Sequence, residues 1–346
     1  MKKIVNVTQG TSATLLNSMI AEKAAQGEHI YNLAAGDPNL DVPLGFIGGL
    51  HYCSKRGLHN YTESQGLYNL RAQIDIPERV IISNGAKQLL YMSLMAVASP
   101  GDRIIVFGPC WSSYFEICKM LKLIPIYMEE LPYVIPSDIA AVLFNNPNNP
   151  TGRVYDKSFC DKLYNLCLAA DCWLISDEIY SDIIYDDTPF YSMKNKKNVI
   201  YISGFSKSYC LTGWRFGYAI AEPEVIKQIT LIQSQMSGPP NTIIQHAILK
   251  NWGYWYKPDI NIYKERRDLI AENNDFLMKY KPAAGFYYYI PITGNSFEFC
   301  KDFLNKYNIA LTPGDEYGRA GTIRLSFAAV NFEELKIIKP YLDTIK

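Results

Sequence analysis

Lys207 and Arg215 share the stretch "SGFSKSYCLTGWRFGY", residues 203 to 218, which is otherwise aromatic, small or apolar. Strand-like runs flank them, "VIYIS" before and "RFGYAIA" after, so both cations are expected at strand ends against a packed sheet. Charge placed there needs a partner. A pocket that strips water from a lysine, or sets it beside another cation, frees the amine to condense with a carbonyl as a covalent catalyst. Lys207 with Arg215 has that pattern, and a solvated loop lysine is the alternative.

Three further positions carry chemistry. Asp177 in "WLISDEIY" ends an apolar run, where a carboxylate is costly to bury unless it is paired or caps a helix; Tyr180 follows three residues later. Asn84-Gly85-Ala86-Lys87 opens a helix directly after "RVIIS", and the free N–H groups of such a turn attract phosphate. Arg215 can grip the same phosphate by two parallel hydrogen bonds. No G-x-G-x-x-G follows the strand, so a monophosphate is expected rather than a dinucleotide. Arg324 lies between Ile323 and Leu325 in "TIRLSFA"; in an alternating strand it faces either water or a buried anion.

The elements that must position these residues alternate from about residue 80 to 220. "RVIIS", "RIIVF", "AAVLF" and "WLIS" read as strands, and the spacing of Phe159, Leu163, Leu166 and Ala170 predicts a helix between the last two. This is an α/β pattern, with a mostly parallel central sheet flanked by helices and ligands held beyond the strands' carboxyl ends. Asn84 to Lys87, Trp111, Asn149, Asp177 with Tyr180, and Lys207 all fall at such ends. After Pro239 come mixed helices and the short strands "GFYYYIP" and "TIRLSFA", a smaller α+β domain. The expected division is a large domain over 41–255 and a small one from 1–40 and 256–346.

Composition narrows the function classes. The 346 residues suffice for two domains. Thirty-four basic residues balance thirty-four acidic ones, so no net field favours nucleic acid or an anionic membrane. The eight cysteines form no CxxC pair and mostly sit in apolar segments, as in a reducing cytoplasm. No apolar run approaches the ~20 residues of a membrane span.

"NNPNNPTG", "SDEIY", "SKSYCLTGWRFGY" and "TIRLSFA", in that order, resemble the class I/II pyridoxal-phosphate-dependent aminotransferases, aspartate-aminotransferase-like, of fold type I. The resemblance extends over nearly the whole chain. It implies Lys207 as the Schiff-base lysine, Asp177 as partner of the pyridine nitrogen, Asn149 and Tyr180 as partners of the ring hydroxyl, and Trp111 as the stacking aromatic. Pyridoxal 5'-phosphate would be held by Gly85, Ala86, Lys87, Ser206 and Arg215, and by Tyr61 reaching across from the other subunit of a homodimer. Arg324 would clamp the α-carboxylate of an amino acid or 2-oxo acid, and Gly36 would close over the substrate. Ser12, Thr14 and Lys87 would meet the distal carboxylate of aspartate or glutamate. The implied reaction is ping-pong transamination.

This chain departs from the family at Gly204, where a phosphate-binding serine is usual, so that hydroxyl is lost unless Ser203 supplies it. The connections at about 71–79 and 129–139 are shorter than the family norm. A lyase or decarboxylase could use the same electron sink, and a non-catalytic sensor is the reading outside enzymology. Neither a helix-turn-helix extension nor a basic patch accompanies the motifs, and Lys207 together with Asp177 argues for turnover.

Overall fold

The protein is described here by a computed structural model covering residues 12–253 and 257–346. A short strand β1 (Tyr31–Asn32) precedes the central sheet of β2 (Val80–Ser83), β3 (Arg103–Phe107), β4 (Ile124–Met128), β5 (Ile139–Asn145), β6 (Trp173–Asp177), β7 (Val199–Gly204) and β8 (Gly217–Ile220). Their order across the sheet is β2-β8-β7-β6-β5-β3-β4. Only β8 runs against the rest, pairing antiparallel with both β2 and β7, while β3 to β7 pair in parallel. The strand expected from "RFGYAIA" therefore starts at the edge where the others end, which brings Arg215 to the same side as Lys207.

Strand periodicity explains why nearly continuous apolar runs are required. Ile104 and Val106 join one buried cluster, with helix Ala86–Val97 and helix Pro223–Met236, while Ile105 and Phe107 join another, with helix Lys157–Ala169. Alternate side chains leave opposite faces, and both faces are covered. The expected helix is present as Lys157–Ala169, capped by Asp156 through the Phe159 amide at 2.8 Å; of the expected positions Leu163 is buried with Cys160 and Cys167, while Phe159, Leu166 and Ala170 are half-buried against the same cluster.

The C-terminal part adds β9 (Tyr287–Pro291), β10 (Ile309–Ala310), β11 (Thr312–Pro313) and β12 (Thr322–Ser326). β11, β12 and β9 form an antiparallel sheet, and β10 pairs with β1. Their core includes Leu33 and also Ile179, Tyr180, Ile183 and Tyr185. The segment after β6 thus packs against the C-terminal core, so both cores share the walls of the cleft between them. β12 is buried at all five residues because it is the central strand of its sheet; Ile323 and Leu325 enter the C-terminal core while Arg324 lines the cavity, so the expected alternation is between two covered faces and Arg324 does not face water.

The 60–67 segment is held by buried polar side chains. Gln245 accepts from the Leu67 amide at 2.8 Å and donates to the Pro240 carbonyl at 3.0 Å, and Arg71 donates to Glu63 at 2.6 Å and to the Gly66 carbonyl at 3.0 Å. The segment is anchored, while Tyr61 itself is 91% exposed. Residues 129–138, between β4 and β5, contain no helix.

Candidate active site

A cavity of about 390 Å³ opens at the carboxyl edge of the central sheet, and Lys207, Asp177, Tyr180, Asn149, Trp111, Ala86, Lys87, Ser206, Arg215, Gly36 and Arg324 all line it. Residues separated by up to 288 positions in the chain meet because every parallel strand delivers its following loop to one edge.

Asp177, the last residue of β6, is 5% exposed. Its Oδ2 accepts from the Tyr114 hydroxyl at 2.8 Å and its Oδ1 from the Ile179 amide at 3.2 Å. No helix begins there, so the carboxylate is not a helix cap. Burial raises its pKa to about 6, against the opposing effects of Tyr114, the Ile179 amide and Lys207. Such a carboxylate suits a cation brought by a ligand, and a protonated pyridine nitrogen is one. The neighbouring Glu178 points elsewhere and accepts from Ser176, Ser192 and the Met193 amide at 2.9, 2.6 and 2.7 Å, which pins the strand end.

The Asn149 loop is set by Asn145 at the end of β5. The Asn145 side chain donates to the Asp177 carbonyl at 2.8 Å and accepts from the Asn149 amide at 2.7 Å. Lys207 follows β7, and its Nζ donates to the Gly36 carbonyl at 2.8 Å. Arg324 enters from β12 and is 7% exposed; it donates to Asn149 Oδ1 at 3.2 Å and to the Ala34 carbonyl at 2.6 Å, while its Nε is buried without an acceptor. Among the described residues no carboxylate pairs with it. An unmatched N–H on a buried guanidinium fits a carboxylate ligand that binds by two oxygens.

Opposite Asp177 lies the turn into helix Ala86–Val97. Gly85, at φ +94°, receives no side-chain cap, and a Cβ there would lie 2.2 Å from the Arg215 guanidinium. A Cβ on Gly217 would lie 2.5 Å from the Ala86 amide nitrogen. The helix start therefore rests on bare backbone with Arg215 beside it, which is a cradle for a phosphate. Lys87 leaves much of its surface exposed, but its ammonium sits 4.6 Å from the Trp111 ring centre. Its pKa is lowered by burial first and then by the nearby charges of Arg215 and Lys207.

Some of the singled-out positions do not line the cavity. Ser203 does not replace the missing serine, because its hydroxyl is engaged with Tyr201 and Tyr218 on the other face of the sheet. Nor is there room for a larger residue at 204, where a Cβ would lie 2.7 Å from the Phe216 carbonyl oxygen and 3.0 Å from the Gly217 Cα. Thr14 sits exposed on helix Ser12–Ala25 and does not line the cavity, and the Ser12 side chain lies outside the described residues. Tyr61 is likewise absent from the cavity of its own chain.

Sequence reasoning missed Tyr114, Asn145 and Tyr287. Tyr114 lies three residues beyond Trp111 in "GPCWSSY", and Asn145 four before Asn149, spacings that could have flagged them. Tyr287, one of three successive tyrosines, has no distinguishing local signal.

The chain belongs to the aminotransferase class I and II family, which it matches over residues 28–339. It is 33% identical over 332 residues to an aspartate aminotransferase of Thermotoga maritima, covering 88% of each chain. It is 29% identical over 338 residues to the (5-formylfuran-3-yl)methyl phosphate transaminase of Methanocaldococcus jannaschii, covering 90% of each. A crystal structure of an aspartate aminotransferase from Thermotoga maritima superposes with a TM-score of 0.90 at 30% identity, covering 98% of this chain and 99% of that one. The protein is thus an aminotransferase of fold type I, and proteins of this type use pyridoxal 5'-phosphate.

The raised Asp177 pKa carries a sign that can be measured without cofactor. Between about pH 4 and 6 the folded protein keeps a proton that the unfolded chain has released, so this group's contribution to stability falls as pH rises. Relative to Asp177→Asn, the cofactor-free wild type should lose on the order of 2–3 kcal/mol between pH 4 and 7.5 in urea unfolding. Parallel profiles for the two proteins would contradict the assignment.

Proposed function

We propose that this aminotransferase takes its amino group from aspartate or glutamate and passes it to a 2-oxo acid, using Lys207 as the proton carrier. The observation that carries the reading is that Lys207, Asp177 and Arg324 line one cavity. Three cations, Lys87, Lys207 and Arg215, gather beside it, which suits a phosphate and a substrate with two carboxylates. The relatives named for aspartate favour the same class.

The residues fit the cofactor: the Gly85–Ala86 turn, Ser206 and Arg215 for the phosphate, Trp111 against the ring, Asp177 for the ring nitrogen, and Asn149 and Tyr180 for the ring oxygen. Bound pyridoxal phosphate supplies a ring that accepts the electron pair released at the substrate α-carbon. Arg324 orients that carbon by binding the α-carboxylate through two parallel hydrogen bonds. Asn149, whose oxygen is held by Arg324, has its amide N–H groups left for a ligand oxygen. Lys207 Nζ, once it leaves the Gly36 carbonyl, would be free to take the α-proton and deliver it to the former aldehyde carbon across the substrate nitrogen, the 1,3-shift that leaves the amino group behind. Asp177 keeps a proton on the ring nitrogen throughout, since its buried carboxylate gains a counter-charge there. Closure of the 34–36 segment over the substrate excludes water.

We further infer a homodimer in which the anchored 60–67 segment presents Tyr61 to the partner's phosphate site, and a cytoplasmic enzyme, as the eight free cysteines suggest. Residues 41–255 form the proposed cofactor domain, with 1–40 and 256–346 as the smaller one. No helix among the described residues is long and apolar enough to cross a membrane.

Borohydride treatment of the yellow protein should attach the cofactor to Lys207, and incubation with aspartate and 2-oxoglutarate should yield oxaloacetate and glutamate. A label on another lysine, or release of ammonia or CO2 in place of the oxo acid, would refute the reaction. Lys87→Ala should cut kcat/KM for aspartate by roughly 10- to 100-fold and that for a neutral amino acid by less than about threefold; equal losses would mean Lys87 does not read the side chain. Tyr61→Ala and Lys207→Ala proteins, each impaired alone, should regain up to about a quarter of wild-type activity when refolded together, since one site of each mixed dimer is intact. No recovery would count against a shared site.

A further inference from the structure

Tyr287 is 1% exposed and faces the cavity from β9. Ser326 pairs with it directly, and Arg324, two residues along β12, is its diagonal neighbour on the same face. Three site groups converge on its side chain. Its hydroxyl lies 2.8 Å from the Tyr180 hydroxyl, the Arg324 guanidinium carbon lies 4.4 Å from its ring centre, and a Cβ on Gly36 would come within 2.1 Å of its hydroxyl oxygen. Only a residue without a Cβ at 36 leaves room for that hydroxyl. The Gly36 carbonyl in turn receives the Lys207 amine.

Two hydroxyls in contact hold two protons and form one bond between them. If Tyr180 gives its proton to the ring oxygen of the cofactor, Tyr287 must give its own to the Tyr180 oxygen. A donor whose oxygen accepts a hydrogen bond is itself polarised and donates more strongly. The guanidinium over the Tyr287 ring draws electron density from it, which strengthens the first donor in the chain. A carboxylate bound at Arg324 cancels part of that charge.

We propose that Tyr287 is a positioning residue that couples the Arg324 carboxylate clamp to the Tyr180 hydroxyl, so that substrate binding at one changes the hydrogen bond that the other gives to the ring oxygen. The inference rests on the proposed roles of Tyr180 and Arg324. Its direction follows from charge: a weaker Tyr180 donor leaves the ring oxygen less stabilised as an anion, so the proton shared near Lys207 is held more tightly and to higher pH.

The test is the pH titration of the visible absorption band of the cofactor-loaded protein, with and without maleate, a dicarboxylate that lacks an amine. Y287F removes the hydroxyl and keeps the ring. Its midpoint should lie above wild type by roughly half a pH unit, and the displacement caused by maleate should shrink. In a Tyr180→Phe background the same change should add nothing, because the acceptor of the Tyr287 proton is gone. Gly36→Ala, which pushes the Tyr287 hydroxyl aside without changing it, should move the midpoint in the same direction and serves if Y287F does not fold. A loaded Y287F protein whose titration overlays that of wild type, or shifts that add fully in the double variant, would overturn the coupling alone. A wild-type protein that forms no visible band with pyridoxal phosphate would overturn the enzymatic reading and the coupling with it.

Discussion

A carboxylate buried at the end of β6, with no cation among the described residues paired to it, organises the rest of the site. Two neutral donors, the Tyr114 hydroxyl and the Ile179 amide, hold Asp177 in place but do not cancel its charge, and burial leaves its pKa near 6. A fold optimised for stability alone would not keep such a group. It becomes favourable when a ligand brings the missing positive charge to it, and the fixed geometry of that charge then dictates where the ring, the phosphate and the reacting carbon lie.

The surrounding elements supply what that constraint needs. Parallel strands bring successive loops to one edge, and the single antiparallel strand β8 returns Arg215 to it. Bare glycine backbone at 85, 204 and 217 lets β7, β8 and the start of helix Ala86–Val97 approach one another closely beside Arg215. Gly204 is therefore part of the packing of this chain.

The opposite wall belongs to the C-terminal core, and it supplies Arg324 and Tyr287. Ile179, Tyr180, Ile183 and Tyr185 pack into that core directly after Asp177 leaves the sheet. Asp177 and Arg324 are thereby joined through a few packed residues, Tyr180 and Tyr287 among them. Movement of the C-terminal part toward the sheet would alter both ends of the substrate together, a geometry suited to excluding water during proton transfer.

Local sequence was enough for the strands and helices of the central sheet, since their periodicity follows from burial on both faces, and for expecting Lys207, Asp177, Asn149, Arg215 and Arg324 to line one cavity, since each is a charged or amide residue stranded in an apolar or turn-forming context. It did not single out Tyr114, Asn145 or Tyr287, whose partners lie 63, 32 and 107 residues away. It also left open the Ser203 contact and which face of β12 is covered. Which face a strand residue shows, and whether the second face is covered, depends on the neighbouring strands and helices. Side-chain types can announce that a charge needs a partner, but only the folded chain decides which group comes within hydrogen-bonding distance.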